Sequence, residues 1–513
     1  MDPDALPLSH ATVVHALQDA ASVQAQAVAL RCGHETLTYA AYWRCALGCA
    51  AVLRSHTAAD SRVALLMDNS IDMAVALMGV QLAGMQVAAL NPGYTPHELE
   101  PILADADVGV LLIDQAHLKL HAGAPWLKRV RHVLAVGPDE RLTRWSDDAE
   151  ISLQWDLPSP QAISTLQYTG GTTGRSKGVE LSHQAVAINV RQRQALLPVA
   201  MDSERVLAVT PLFHVYATSM GLYLALFARA ELIIVARYRP EEVLKTIQAQ
   251  HITLFAGSPT LFHGLMAHPD FSNTNWSSLK LCFSGSAPLP VETLRRWEAV
   301  TGCPICEGYG QTEAGPVATF NPAQGLRKPG TVGVAVPFTE VQIVDAETGD
   351  RCLTPGEVGE IRLRGPQLMN AYRNRPDETA QALRQGWLYT GDIGCMDADG
   401  YLTITDRKKD MVIVGGYNVY PREVEEVLYQ HPEVSEAAVV GLPDPYRGEQ
   451  LCAFVVAKSQ DAEQLITGLH AWCAQRLVKY KRPIEIRCVS NLPKTSVGKI
   501  DKPRLRTDRP EGV

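Results

Sequence analysis

Arg62–Ile113, RVALLMDNSIDMAVALMGVQLAGMQVAALNPGYTPHELEPILADADVGVLLI, reads as strand, helix, strand, helix, strand. Short β-branched runs at Arg62–Leu66, Met85–Leu90 and Val108–Ile113 alternate with helical patterns at Ile71–Leu82 and His97–Asp105, which predicts βαβ units and parallel sheets. The rhythm resumes downstream with strand Arg205–Thr210, helical Ser219–Phe227, strand Glu231–Val235, helix Pro240–His251 and strands Thr253–Ala256 and Lys280–Ser284. From about Lys328 the texture changes to strands and turns, Glu340–Asp345, Gly359–Arg364 and Tyr401–Asp406 after the turn Asp397–Gly400. A β-rich subdomain over about 328–406 is therefore expected. The charged cluster Asp406–Asp410 precedes a last segment with its own core candidates, Val424–Leu428, Val434–Gly441, Cys452–Ala457 and Leu465–Leu477. The domain boundary is set there, giving 1–407 and 408–513, although a charge run also suits a plain solvated turn. The expected class is α/β: a large N-terminal domain of αβ layers with a β-rich subdomain, then a small α+β C-terminal domain.

Length and composition frame this reading. With 513 residues, 46% apolar and 20% charged, the chain can bury several cores. Forty-seven basic against 55 acidic residues leave a net charge of −8, which offers no electrostatic footprint for nucleic acid. Eleven cysteines lie scattered from Cys32 to Cys488 without a paired framework and read as reduced intracellular thiols. The one CxxC, Cys303–Cys306, reads as a buried strand entering a loop, with a redox pair as the alternative. The opening MDPDALPLSH resembles neither a signal nor a transit peptide, so the cytoplasm is the expected location. The apolar run Met73–Leu90 is interrupted by Gln81 and Gln86, which suits a buried helix and strand better than a membrane span.

Several stretches carry chemistry. Thr169–Gly178, TGGTTGRSKG, combines glycines that let backbone approach an anion with hydroxyls and Lys177 as donors. It is no ordinary Walker loop, because Ser176 precedes Lys177 and Gly178 follows it, and a linker is the alternative. Tyr309-Gly310-Gln311-Thr312-Glu313 puts a carboxylate after a glycine turn, where a hard cation on phosphates wants an oxygen ligand; a solvated surface glutamate is the plainer reading. Asp392, at a turn after Gly391, suits ribose hydroxyls or an Asx turn. Arg407 suits ribose or phosphate, an interdomain ion pair, or bare surface. Lys499, in Pro493–Lys499, suits an electrostatic clamp on a phosphoryl group or a basic tail.

Taken in order, these segments resemble the adenylate-forming superfamily of acyl-CoA synthetases, adenylation domains and luciferases, over nearly the whole chain. YTGGTTGRSKG is similar to that family's pyrophosphate loop, GYGQTE to its adenine and magnesium motif, YTGD to its ribose-binding aspartate, DRKKDMVIVGGYNVYP to its hinge and thiol-channel loop, and PKTSVGKIDK to its catalytic lysine loop. The resemblance implies a small, mobile C-terminal domain and two steps: a carboxylate attacks ATP to give acyl-adenylate and pyrophosphate, then a thiol displaces AMP. It implies that Thr169, Gly170, Gly171, Thr172, Thr173, Gly174 and Lys177 hold the β- and γ-phosphates and that Tyr309, Gly310 and Gln311 line the adenine. Thr312 would meet the α-phosphate, Glu313 a magnesium ion, and Asp392 and Arg407 the ribose. Lys499 would bridge α-phosphate and acyl carboxylate. Rotation about Lys409 would withdraw Lys499 and bring Gly415, Gly416 and Tyr417, within Gly415–Asn418, up to a pantetheine tunnel.

His214, in PLFHVYA, matches an aromatic position beside the acyl carboxylate in relatives, with a packed histidine as the alternative. The acyl pocket is expected from the segment after His214, from Ala256–Thr260 with Ser258, from Ser284–Ala287 with Ser286, and from Gly308. Those segments hold few charges and no arginine, which points to an apolar tail and disfavours dicarboxylic acids. YTGGTTG, PLFHVYA and NPGYTPHELE look most like bacterial medium- and long-chain fatty acyl-CoA ligases, with aryl acids fitting the same scaffold. The implied cofactors are ATP, Mg2+ and coenzyme A; the partners are small molecules, and a homodimer fits the reading. Three classes remain: an acyl-CoA ligase, an acyl-AMP ligase loading a carrier protein, and a non-catalytic nucleotide-binding module, with a luciferase-like oxygenase as a minor option. The second usually carries an insertion before the hinge that is not visible here. The third would be expected to lack Lys499 or Glu313.

Overall fold

The computed structural model describes residues 6, 10–146, 153–169, 176–408, 410–414, 417–458, 462–495 and 499–507. Two large sheets dominate. In the seven-stranded sheet, Gln86–Ala89, Arg62–Leu66, Val108–Asp114 and His132–Val136 run parallel, and Ile163–Thr169, Lys177–Ser182 and Ala371–Tyr372 extend it on the Gln86–Ala89 side. The nine-stranded sheet has a parallel centre made of Ile305–Gly310, Leu281–Ser284, Leu254–Gly257, Arg205–Ala208, Glu231–Ile234 and Val28–Cys32. Parallel strands need crossovers, and the alternating sequence supplies them.

Between the sheets lie helices that touch strands of both. Ile71–Leu82 packs against Val28–Cys32 on one side and Arg62–Leu66 and Gln86–Ala89 on the other. All twelve of its residues are buried, and all but Asp72 and Gln81 are apolar. Ser70 starts it by accepting the Met73 N–H at 3.0 Å. His183–Leu196 lies in the same layer, touching Ile163–Thr169, Lys177–Ser182 and Val317–Phe320. On the outer face of the nine-stranded sheet, Pro240–Ala249, Pro259–Met266 and Val291–Thr301 bury Phe255, Phe262 and Trp297 against one another.

A third sheet, Glu340–Val344, Gly359–Arg364, Trp387–Met396, Leu383–Arg384 and Leu402–Arg407, is antiparallel. From Val412 on, buried apolar side chains form clusters of their own around the sheet of Val434–Asp444, Gly448–Ala457 and Glu485–Cys488. Contacts with the preceding part include Arg422 N donating to Asp406 Oδ2 at 3.0 Å, Arg506 pairing with Asp410 at 2.8 Å, and the Tyr429 ring edge-on to His263 at 6.5 Å.

Two local expectations change. The helical segment expected at Ser219–Phe227 begins at Val215 and runs to Ala228, with a wider turn over Thr218–Tyr223, because His214 Nδ1 accepts the Tyr216 N–H at 3.2 Å and caps it early. Asp392 sits within strand Trp387–Met396 rather than at a turn, since the ladder to Leu402–Arg407 continues through it in register with Arg407. The Cys303 sulfur has Cys282, 3.7 Å away, as its near neighbour, while Cys306 lies in strand Ile305–Gly310.

Candidate active site

Thr169 ends strand Ile163–Thr169 directly opposite Lys177 on the antiparallel partner. The loop residues Gly170, Gly171, Thr172, Thr173 and Gly174 lie outside the described residues. Lys177 forms an ion pair with Glu378, and its ammonium stands 4.9 Å over the Tyr372 ring. Tyr372 gets there because Ala371–Tyr372 adds to the sheet edge beside Val179, and its hydroxyl donates to Glu313 Oε1 at 2.7 Å. One aromatic side chain therefore joins the loop lysine to the motif glutamate. Neither Tyr372 nor Glu378 was legible in the sequence: each acts through pairing with residues about 60 to 200 positions away, and no local spacing marks it.

Strand Ile305–Gly310 delivers the second half of the site. It buries Ile305 and Cys306 against the core, then breaks register between Tyr309 and Gly310 and turns through Thr312–Ala314. Tyr309 donates its hydroxyl to Asp392 Oδ2 at 2.6 Å, and Arg407 Nε lies 3.3 Å from Asp392 Oδ1. Burial, then the Asp392 charge, push the Tyr309 phenol well above its usual range, so it stays a donor. Gln311 Nε2 is buried with no hydrogen-bond partner among the described residues, and Thr312 is buried beside it. Asp392, also buried, joins the Tyr309 and Arg407 side chains.

Lys499 arrives from the far end of the chain. Its loop is tied by Thr495 N to Lys499 O at 2.7 Å and by a bridge between Lys494 and Ile500. Burial and then the Arg407 charge pull the Lys499 ammonium down to about 8, against the opposing pull of Asp392 and Glu313. His214 feels Lys499 as well: burial first and that charge second hold its imidazole down at about 3, so it is neutral at any working pH. Lys499, Arg407, Asp392, Glu313 and His214 thus share one electrostatic neighbourhood. A depressed ammonium with specific charge partners marks Lys499 as a candidate functional group.

The remaining expectations divide. Ser258 precedes helix Pro259–Met266 and is buried, Ser286 holds a φ of 70°, and Gly308 packs against the Phe320 ring. Tyr216, two residues after His214, donates to the Phe283 carbonyl at 3.2 Å, which ties the segment after His214 to strand Leu281–Ser284. Lys409, Gly415 and Gly416 lie outside the described residues. Tyr417 is not in the cluster: it is 58% exposed and stacks on Tyr480 at 4.5 Å.

The Lys499 environment has a pH consequence. The group is charged below about 8 and loses its proton above it, so a step needing the cation declines on the alkaline side. The kcat/KM of acid activation is expected to fall about tenfold per pH unit well above pH 8. A profile flat from pH 7 to about 10 would remove the lysine from that step.

Layered α/β sheets, Tyr309 and Arg407 meeting on a buried Asp392, and a lysine supplied by a separate C-terminal core together define an adenylate-forming enzyme. The chain belongs to the AMP-binding enzyme family: that family's model matches residues 17–373, and the model of the AMP-binding enzyme C-terminal domain matches 423–499. The long-chain-fatty-acid–CoA ligase of Bacillus subtilis (strain 168) is 38% identical, over 99% of this chain and 96% of its own length. Among solved structures, an anthranilate CoA ligase in complex with anthranoyl-AMP superposes with a TM-score of 0.91 at 29% identity, covering 99% of this chain and 98% of that one. ATP-bound MatB from Rhodopseudomonas palustris gives 0.89 at 31%, covering 97% and 98%. No helix among the described residues is long and apolar enough to cross a membrane.

Proposed function

We propose that this protein is an ATP-dependent carboxylic acid:CoA ligase that forms an acyl-adenylate and then an acyl-CoA thioester, acting on a medium- or long-chain aliphatic acid. The observation carrying this reading is the convergence of Lys499 with Asp392, Arg407, Glu313 and His214. Asp392 and Arg407 would grip the ribose, Lys177 the outer phosphates, and Thr312 the α-phosphate. Lys499 would place its ammonium between the α-phosphate and the incoming carboxylate, where negative charge builds up. The oxygens of Glu313 fit a magnesium ion that would offset phosphate charge. His214, held neutral, can line the acyl carboxylate without trapping it as a salt.

The relatives support both acceptor and acid. The Bacillus subtilis relative is named for long-chain fatty acids and coenzyme A. An aryl acid is the second reading, favoured by a feruloyl-CoA synthase of Amycolatopsis sp, 35% identical over 95% of this chain. Rotation about Lys409 would exchange Lys499 for the Gly415–Asn418 segment before the thiol attacks. A homodimer and the cytoplasm complete the reading, and the eleven free cysteines suit a reducing compartment.

The test is a panel of aliphatic and aryl acids assayed for AMP release with and without CoA. The expected result is CoA-dependent AMP release with aliphatic acids. Release that no acid elicits would overturn the assignment, and release that needs an acylated carrier protein in place of CoA would move it to carrier loading.

A further inference from the structure

The helix His183–Leu196 is buried at eleven of its fourteen residues, although Asn189, Gln192, Arg193 and Gln194 are among them. Buried polar groups are affordable only when partnered. Asn189 is: its Nδ2 donates to the Val317 carbonyl at 2.8 Å and its Oδ1 accepts the Val317 N–H at 3.0 Å. Gln192 Nε2 donates to the Pro337 carbonyl at 2.7 Å, and Gln194 Nε2 to the Val199 carbonyl at 3.1 Å. Arg193 is the exception among these four. It is fully buried, its Nη1 makes one long contact of 3.4 Å with Gln194 Oε1, and its Nε and Nη2 have no hydrogen-bond partner among the described residues.

Its position gives those orphan donors a meaning. The guanidinium lies 4.6 Å over the ring of Phe283, one residue before Ser284–Ala287, and interacts with Tyr216 and Cys306, two positions from His214 and Gly308 respectively. Those are the segments assigned above to the acyl pocket. They contain no arginine themselves; the helix behind them supplies one. Two hydroxyls in the same segments, Ser219 Oγ and Ser284 Oγ, are likewise buried without a partner among the described residues. Burial lowers Arg193 only to about 9, so it remains a cation at neutral pH. A charged, unpaired guanidinium is costly inside an apolar layer, and its Nε and Nη2 form the side-on fork that matches both oxygens of a carboxylate.

We propose that the acid this enzyme activates carries a second carboxylate at its far end, an α,ω-dicarboxylic acid, and that Arg193 is the residue that binds it. The inference rests on the acid:CoA ligase reading and narrows its substrate: one carboxylate is activated beside Lys499 while the other docks on Arg193. A methyl-ended acid of the same length leaves the fork unpaired on binding, and sites built to hydrogen-bond a substrate group reject analogues lacking it by up to about 10⁴–10⁵-fold.

The experiment compares length-matched pairs of methyl-ended and α,ω-dicarboxylic acids, from short to long chains, in acid-dependent pyrophosphate exchange by the full chain and by Arg193→Met and Arg193→Gln. For at least one length, the unmodified chain should prefer the dicarboxylic acid by about 10²-fold or more in kcat/KM. Arg193→Met should abolish or reverse that preference while still activating methyl-ended acids, with Arg193→Gln between the two. Preference for the methyl-ended acid at every length overturns the inference and leaves the ligase reading intact, as does a dicarboxylate preference unchanged in both variants. Failure of every acid to support exchange overturns both. If neither variant folds, the panel on the unmodified chain still tests the substrate: preference for the methyl-ended acid at every length overturns the inference.

Discussion

Lys499→Ala is expected to lower acid-dependent pyrophosphate exchange by about 10²–10³-fold, the usual loss when one positioned donor for transition-state charge is removed. The geometry explains the size. The ammonium is desolvated and stands in the field of Arg407, Asp392 and Glu313, so it acts in a medium where charge interactions are weakly screened. The neutral His214 beside it cannot take over as a cation. Thioester formation from preformed acyl-adenylate and CoA should fall far less, because the proposed rotation about Lys409 withdraws Lys499 before the thiol attacks. Exchange within threefold of the unmodified protein would remove Lys499 from the chemistry; equal loss in both half-reactions would make it a structural residue.

Gly310→Ala should be nearly as damaging, by a different route. A Cβ at this position would lie 1.8 Å from the carbonyl oxygen of Pro316, which is backbone and cannot swing aside. The strand Ile305–Gly310 and the strand Val317–Phe320 pair across that point, so relief requires moving the Thr312–Ala314 turn between them. Overpacking of this kind typically costs about 1–3 kcal/mol and occasionally more, and an unyielding backbone partner puts this case at the upper end. Thr312 and Glu313 ride on the displaced turn, and a shift of about 1 Å at a reacting centre can cost about 10²-fold in rate. Urea unfolding and pyrophosphate exchange should therefore both show the lesion. Gly468→Ala, in the helix Ala462–Arg476 with no described residue outside the helix within 4 Å of the added methyl, is the matched control and should be neutral or mildly stabilising. Identical unfolding midpoints for the two variants would contradict this account of the turn.

Dicarboxylate recognition by Arg193 would also explain how the helix His183–Leu196 tolerates its polar sequence. Asn189 and Gln192 fasten it to backbone on Val317 and Pro337, which fixes the register that places Arg193 over Phe283.

The alternation of β-branched runs and helical patterns was sufficient to define parallel sheets with crossover helices, because period and length are local properties of the chain. Strand Arg62–Leu66 and helix Ile71–Leu82 fall where their residues predict, and strands elsewhere differ by one or two residues at an end. Lys177, Tyr309, Asp392 and Arg407 were picked out as candidates by motifs that resemble those of the adenylate-forming family. Their mutual contacts were not. That Tyr309 and Arg407 meet on Asp392 follows from a strand register, and that Tyr372 links Lys177 to Glu313 follows from an edge strand added from almost 200 residues away.

By itself, then, the sequence determined the layered architecture, the order of the loops and the chemistry each could offer, since hydrophobic period and turn residues act over a few positions. Tertiary structure alone decided which charges face one another. Lys499 comes within reach of His214, and Arg193 is pressed against Phe283 with two donors unanswered, only because packing brings distant segments into a space from which water is excluded.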